Sequence, residues 1–512
     1  PALSINTYKQ TSGWDKFPVI KPIDYLPEYI NIIGDTHLSL PDSLPATYKP
    51  RMNVVHDYVN SSYQYGNLTV TGQSMLSLLS FSMIWDPNIA YVYYYRDSYN
   101  HTYATMINHS QVRADSVEIT TFIRNNKWNF VSFPFDVKVS DISATEPGVT
   151  SLVIRRYDGQ KRANGETGST WVKLDANDIM EAGRGYILQG NRYDGSYPNY
   201  SGLLLRAVNN GNKNNIFLAQ DASVTLNEYY SEFAHNRSWN LIGNPYPCYY
   251  DTRFLDYGAP ITVWDMNYET YKAYSPVDDA YILSPGESFF VQCPTGVEFI
   301  TFGKDGRQAT RTALNTGASR ISAFTNTDAT GNARTIVNLT IGTSEGTADR
   351  TRIVLNDAAS VQYEMDKDAA KFISTDTSRP QIYTTTGGVD YAINERPLGD
   401  GTVNLVLRTA VSGSYTIALN YNIESYQIVL EDTRLGLFTT LTEDNSYVFD
   451  ANAGTDRSRF ILHFTSGTTD ITEQSAVILS PLPIYTLEGV RVSEPSRNGL
   501  YIQGGKKVIM NK

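Results

Sequence analysis

An internal repeat constrains this chain more than any other feature of its sequence. The matched blocks are, in order, WNFVSFPF at 128–135 with WNLIGNPY at 239–246, LVIRRYD at 152–158 with ITVWD at 261–265, and AGRGYILQ at 182–189 with SPGESFFVQ at 284–292. Three blocks repeated in one order indicate that a single supersecondary unit is used twice.

Each copy has the character of β-structure. Its opening apolar strand starts at Trp128 or Trp239 and ends near Pro134 or Pro245, because proline cannot donate to a strand ladder. A glycine-containing turn then leads into a last strand rich in aromatic and branched residues. We expect the two copies to supply the sheets of one β-sandwich, with both tryptophans buried in its core rather than displayed to a ligand.

Short runs of tyrosine, threonine, valine and isoleucine, separated by glycine, asparagine, aspartate and serine, recur along the whole chain. Tyrosine alone occurs 37 times. This pattern predicts an all-β protein, and 512 residues are too many for one core. We therefore expect serial β-sandwich domains of jelly-roll or immunoglobulin-like type, followed by a short C-terminal β module. The predicted divisions are an irregular N-terminal arm at 1–65, a small β-sheet or β-solenoid-like segment at 66–125, a β-sandwich built from the repeat at 126–303, a linker at 304–333, a β-sandwich at 334–466, a spacer at 467–480 and the C-terminal module at 481–512.

Alternation of apolar and polar residues identifies the inward face of the second predicted sandwich. In its last strand, the pattern places Phe460, Leu462 and Phe464 on one face. About nine such strands fit the spacing typical of a sandwich.

The formal charge of −11 argues against nucleic acid or an anionic membrane surface as the main partner. No apolar run is long enough for a transmembrane helix. The chain begins at Pro1 without a methionine, which fits either a mature form after signal removal or an internal fragment.

Two cysteines, Cys248 and Cys293, are too few for a metal-site spacing. They lie near the two ends of the second repeat copy. A disulfide between them and a pair of buried free thiols are both compatible with the sequence.

The search for catalytic patterns points to a protein that is not an enzyme. None of the six histidines falls in a metal-ligand spacing. Gly342–Gly346 has the spacing of a nucleophile elbow, but the following residues lead into a strand rather than the helix that an elbow requires. We expect no cofactor; a structural calcium ion is the one metal considered, with no ligand residues assigned.

A tyrosine-rich stretch is the candidate ligand-contact surface. It contains Tyr91, Tyr93, Tyr94 and Tyr95, with asparagine and aspartate neighbours. Such aromatic surfaces suit sugars and also suit protein interfaces, whereas a small sheet packing on its neighbour is the simpler interpretation.

The C-terminal residues carry a resemblance. YTLEGVRV at 485–492, GLYI at 499–502 and the pair Lys506–Lys507 resemble the C-terminal sorting domain of cargo of the type IX secretion system of Bacteroidota. The residues that match the sorting motif are Gly489, Gly499, Tyr501, Lys506 and Lys507. The resemblance implies export, with secretion or anchoring machinery as a partner of this module.

The stretch from about 115 to 470 is similar to large surface proteins of the same bacteria. This similarity implies an extracellular location on the outer membrane exterior, with glycans or neighbouring surface proteins as further partners. We therefore expect a non-enzymatic exported protein with a structural, adhesive or surface-layer role. The alternatives are a glycan-binding accessory protein and a fragment of a secreted hydrolase without a recognisable catalytic module.

Overall fold

The structure is a computed structural model, and it confirms the all-β prediction. The described residues are 27–59, 62–85, 103–144, 149–192, 202–211, 215–311 without 267 and 278, 334–466 without 376–377 and 423–425, and 484–487, 491–492, 499–503 and 506–510. Across these ranges no helix is both long and apolar enough to cross a bilayer. The described α-helix, α1, is the five-residue Gly159–Ala163, and short 3-10 turns lie at Val139–Asp141, Thr167–Ser169, Asn215–Phe217, Ala234–Asn236, Thr252–Phe254 and Lys304–Gly306.

Two compact units divide the chain. Unit 1 comprises Pro1–Asn267, Ala273–Phe324 and Glu364–Lys367, and unit 2 comprises Tyr268–Lys272, Thr325–Tyr363 and Asp368–Lys512.

Unit 1 begins as a parallel β-solenoid. Its strands are β1 (Tyr29–Ile32), β2 (Asp35–Ser39), β3 (Arg51–Val54), β4 (His56–Val59), β5 (Ser62–Tyr65), β6 (Asn67–Thr71), β7 (Met75–Leu78), β8 (Ser80–Ile84), β9 (Thr105–Asn108), β10 (Gln111–Ala114) and β11 (Ser116–Arg124). Three parallel ladders form its faces: β1-β3-β8-β11, β2-β6-β9 and β7-β10. An antiparallel hairpin, β4-β5, is inserted between two of the turns.

In-register stacking explains why this solenoid holds together. Ile32, Val54, Met83 and Ile119 lie directly above one another on successive turns, and all four are buried. Stacked apolar positions give each turn a dry contact with the next, which is the source of stability in repeat architectures. The outward column is polar, and there the Asn53 side-chain amide donates to Asn31 Oδ1 at 2.8 Å.

The prediction of an irregular arm at 1–65 is wrong within 29–59 and 62–65, where the chain forms the strands β1 to β5. Pro41, Pro45 and Pro50 lie between β2 and β3, so these prolines interrupt the strands only at the connections between them. Short strands separated by proline read as irregular sequence because each strand has only four or five residues.

The repeat follows the solenoid. Copy 1 contains β12 (Asn129–Val131), β13 (Val137–Lys138), β14 (Ile142–Ala144), β15 (Val149–Tyr157), β16 (Trp171–Lys173), β17 (Ile179–Met180), β18 (Tyr186–Arg192) and β19 (Gly202–Asn210). Copy 2 contains β20 (Ala222–Thr225), β21 (Trp239–Gly243), β22 (Tyr249–Asp251), β23 (Leu255–Asp256), β24 (Ile261–Asp265), β25 (Thr270–Tyr274), β26 (Ile282–Leu283), β27 (Ser288–Gln292), β28 (Phe299–Phe302) and β29 (Arg307–Gln308).

The two copies share one topology. The main sheet of copy 1 has the order β12-β18-β15-β16, and the corresponding sheet of copy 2 has the order β21-β27-β24-β25. A second sheet also has corresponding strand orders in the two copies, namely β11-β19-β14 in copy 1 and β20-β28-β23 in copy 2. Strand β11 therefore serves twice, as the last solenoid strand and as the first strand of copy 1.

This arrangement corrects the prediction that the two copies together form a single sandwich over 126–303. Each copy forms three sheets, because β13-β17 in copy 1 and β26-β22-β29 in copy 2 add to the two sheets described above. Copy 1 begins at Ser116 rather than at residue 126. The two four-stranded sheets meet through aromatic rings: Phe290 of copy 2 lies 4.8 Å from Tyr157 and 6.0 Å from Phe130 of copy 1, between ring centroids. Such ring contacts add to the free energy of simple burial.

The predicted burial of the two tryptophans holds only in copy 2. Trp239 is buried, whereas Trp128 is partly exposed and carries the Arg155 guanidinium over its ring at 4.8 Å.

Unit 2 contains one continuous, mostly antiparallel sheet. Its strands are β30 (Thr335–Thr343), β31 (Gly346–Leu355), β32 (Ala369–Ala370), β33 (Gln381–Thr386), β34 (Val389–Arg396), β35 (Thr402–Thr409), β36 (Gly413–Asn422), β37 (Tyr426–Asp432), β38 (Leu437–Leu441), β39 (Tyr447–Ala451) and β40 (Gly454–Ser466). The order is β38-β37-β40-β35-β33-β34-β31-β30-β36-β39, with β32 added on β34. Phe449 on the last strand of this order contacts Phe460 near the other end at 4.8 Å, so the sheet closes around one core.

Phe460, Leu462 and Phe464 are buried in that core, as the alternation predicted. Four further strands, β41 (Ile484–Tyr485), β42 (Arg491–Val492), β43 (Gly499–Gln503) and β44 (Lys506–Met510), form a small antiparallel sheet of their own with the order β42-β41-β43-β44.

Candidate ligand-contact loop

A buried asparagine stands at the same position in both repeat copies and closes the loop before the main sheet. In copy 1, Asn129 accepts from Arg124 N at 2.8 Å and donates to Arg124 O at 3.1 Å. In copy 2, Asn240 accepts from Asn227 N at 2.9 Å and donates to Asn227 O at 2.9 Å. A buried amide that meets both backbone groups of one residue fixes where that loop starts and ends.

The loops that these asparagines close differ in length. The closure spans five residues in copy 1 and thirteen in copy 2, so copy 2 carries eight extra residues (13 − 5). We call residues 228–237, the segment that contains these extra residues, the aromatic loop. Insertions on an otherwise repeated scaffold are where repeat proteins place binding functions.

Several hydrogen bonds hold the aromatic loop in one conformation. Gln292 Nε2 donates to Ala234 O at 3.0 Å and to Arg237 O at 2.8 Å, and Trp239 Nε1 donates to His235 O at 2.8 Å. Gln189 occupies the position of Gln292 in copy 1, where it donates to Asn126 O at 3.2 Å. The same glutamine thus holds the short loop in copy 1 and the long loop in copy 2.

This anchored loop displays two large aromatic side chains. Tyr230 is 76% exposed and Phe233 is 61% exposed. The Arg237 guanidinium lies 5.3 Å from the Tyr230 ring centroid, and the His235 ring lies 5.8 Å from the Phe233 ring. Exposed aromatic rings with arginine beside them are typical of binding surfaces, because they lose little conformational entropy on contact.

The tyrosines that the sequence singled out, Tyr91, Tyr93, Tyr94 and Tyr95, lie outside the described residues. Sequence reasoning missed Tyr230 and Phe233, although the unequal spacing before the two Trp-Asn pairs was a signal that could have found them.

The sorting-motif residues have mixed placements. Tyr501 is buried in β43, and Gly499 starts that strand. Lys506 and Lys507 start β44, where they pair with Gln503 and Ile502. Gly489 lies outside the described residues.

Cys248 and Cys293 are free thiols in the structure, so the disulfide alternative is wrong there and the free-thiol alternative holds. Both are buried, and burial raises the pKa of Cys248 to about 12 and that of Cys293 to about 11. Cys293 Sγ donates to Val297 O at 2.8 Å. Thiols held in this protonated form are poor nucleophiles and act as small apolar side chains.

A polar cluster in copy 2 surrounds Glu287. Its carboxylate accepts from the Tyr281 hydroxyl at 2.8 Å and from Ser284 N at 2.7 Å, and Arg311 donates to the Tyr281 hydroxyl at 3.1 Å. Burial raises the pKa of Glu287, although Arg311 and these hydrogen bonds oppose the shift. The carboxylate holds the turn at Pro285–Gly286 that leads into β27, which is a structural use of an acid.

No group of three or more histidine, cysteine, aspartate or glutamate side chains able to hold a metal ion occurs among the described residues.

Comparison with known proteins gives a partial match. Residues 249–464 match a protein family described as a domain of unknown function (DUF8693), which covers less than half of the chain. The matched region includes most of copy 2 and nearly all of the sheet formed by β30–β40 in unit 2. It begins after the aromatic loop. No curated protein matches the sequence.

Proposed function

We propose that this protein is a non-enzymatic, exported cell-surface protein with an adhesive role, and that the aromatic loop is its contact surface. The observation that carries the adhesive role is the pair of exposed rings, Tyr230 and Phe233, on a loop anchored by Gln292 and Trp239. Export is supported by the resemblance of the C-terminal residues to a sorting domain.

A glycan ligand is the second candidate. The polar side chains around the two rings favour it, because sugar recognition combines stacking on an aromatic face with hydrogen bonds to hydroxyl groups. Arg237 and His235 lie within ring-contact distance of Tyr230 and Phe233, and they offer donors at the edge of that face.

The test is retention of the full chain on two arrays, one of host and microbial glycans and one of extracellular matrix proteins, each with calcium and with a chelator. We expect saturable retention that falls about tenfold or more in the double variant Tyr230→Ala/Phe233→Ala, because central aromatic residues dominate binding free energy. Retention on glycans alone would select the glycan-binding function, and retention on proteins alone would select the adhesive function.

Tyr29 supplies a matched control. It is also an exposed tyrosine, 55% exposed, with the Arg51 guanidinium 5.8 Å from its ring. Tyr29→Ala is expected to leave retention unchanged. Blank arrays, or retention that the double variant does not reduce, would contradict the proposed contact surface.

A further inference from the structure

The side chains of Lys371 and Asp349 meet in the interior of unit 2. Lys371 follows β32, and Asp349 lies in β31. Lys371 Nζ is 2.6 Å from Asp349 Oδ2, and both side chains have no exposed surface. A fully buried lysine–aspartate pair is costly to form as ions, because neither charge keeps its hydration.

Only one of the two Asp349 carboxylate oxygens has hydrogen-bond partners among the described residues. Asp349 Oδ2 accepts from Lys371 Nζ and from Ile382 N at 2.9 Å. Asp349 Oδ1 is buried and has no hydrogen-bond partner among the described residues. A buried carboxylate oxygen without a donor destabilises the ionised form, whereas an amide carbonyl in its place carries no full charge.

The amine is prepared to act as a nucleophile. Burial lowers the pKa of Lys371 below its ordinary value; the Asp349 carboxylate opposes this shift, and the charges of Lys272 and Arg350 add to it. Desolvation together with neighbouring cations is the way in which proteins produce a reactive neutral lysine. The fixed geometry adds the large rate advantage of an intramolecular reaction.

We infer that Lys371 and Asp349 condense to an intramolecular isopeptide bond that crosslinks β31 to the segment after β32. A proton first passes from the ammonium to the carboxylate, so that an amine faces a carboxylic acid. The Nζ–Cγ bond then forms, the bond from Cγ to the protonated oxygen breaks, and one water molecule leaves with the second proton of the amine. The net change is one ammonium and one carboxylate to one amide and one water, with no oxidant or further reactant.

The product fits the surrounding groups. The amide retains one N–H, and the Tyr271 carbonyl that Lys371 Nζ already contacts at 3.2 Å is available to accept it. The bond would make a staple inside one sheet, and a covalent crosslink stabilises chiefly by restricting the unfolded chain. This inference does not depend on the adhesive role or on the aromatic loop.

The intact mass of the purified, denatured full chain tests the bond. We expect a mass below that of the sequence by one water molecule. We also expect a branched tryptic peptide that joins the segments carrying Asp349 and Lys371, with no cleavage after Lys371. An intact mass equal to that of the sequence, measured on folded protein after prolonged incubation, would overturn the inference.

Two variants make the result specific. Lys371→Arg keeps the positive charge and the ion pair but has no amine, so the missing water should return to the mass. Lys272→Arg changes the neighbouring lysine in the same conservative way and should retain the mass deficit. A deficit that persists in Lys371→Arg would place the crosslink elsewhere and refute this assignment.

Discussion

Single polar residues, either buried or half-buried, hold several of the loops and turns of unit 1. Asn129 and Asn240 each close a loop with paired hydrogen bonds to one backbone residue, and Glu287 holds the turn before β27. These side chains stabilise the fold by forming hydrogen bonds with backbone groups that would otherwise lack partners.

Glu287 gives unit 1 a specific pH dependence. Burial raises the pKa of the Glu287 carboxyl group in the folded state. The protonated carboxyl group therefore contributes its full stabilisation below the pKa that Glu287 has in the unfolded chain. This contribution is lost as the pH rises through the pKa that Glu287 has in the folded chain. We expect the wild-type free energy of unfolding to contain a component that declines as the pH rises above the ordinary glutamate pKa. Glu287→Gln should remove that component, whatever it does to absolute stability.

Chemical denaturation at a series of pH values measures this slope. Glu181→Gln is a suitable control because Glu181 lies in the corresponding turn of copy 1 with an exposed side chain. Parallel pH profiles for wild type and Glu287→Gln would show that the Glu287 carboxyl has no such role.

At the scale of elements, the repeat could be predicted from the sequence because the same residue types recur in both copies. The matched blocks of each copy begin with a Trp-Asn pair and end with a similar strand sequence. The solenoid was harder to read. Its turns repeat a geometry rather than a motif, and stacked positions such as Ile32, Val54, Met83 and Ile119 need only be apolar. The Lys371–Asp349 pair could not be predicted, because its partners meet through β32 and β31, which are not neighbours in the sheet order.

The aromatic loop yields an element-scale prediction. Gln292→Leu keeps the side-chain size but removes the two hydrogen bonds to Ala234 O and Arg237 O. We expect amide hydrogen exchange in residues 231–237 to accelerate about tenfold or more, because net hydrogen bonds of about 1 kcal/mol each restrain local opening.

Gln189→Leu is the counterpart in copy 1, where one hydrogen bond holds a shorter loop. It should leave exchange in residues 231–237 unchanged. Equal exchange in this segment for wild type and Gln292→Leu would show that the loop is held by other contacts.

At the scale of the whole molecule, the C-terminal sheet β41–β44 pairs only with itself among the described strands. If it acts as a sorting module, removing residues 481–512 should abolish surface display while leaving the fold of the remainder unchanged. Surface labelling of a Bacteroidota host with a type IX system, expressing the chain behind a signal peptide, measures the first effect. Circular dichroism of the purified truncated chain measures the second, and undiminished display of the truncated chain would remove the support for export through this module.

Strand β11 has a consequence for how this chain can change over evolution. It pairs with β8 on one side and with β19 on the other, so the solenoid and copy 1 have no seam between them. A recombination event that cut there would divide the single buried core that the solenoid and copy 1 share. Copy 2 begins with its own strand, β20, which pairs within copy 2. An insertion before β20 would therefore interrupt no strand, whereas an insertion between the solenoid and copy 1 would divide β11.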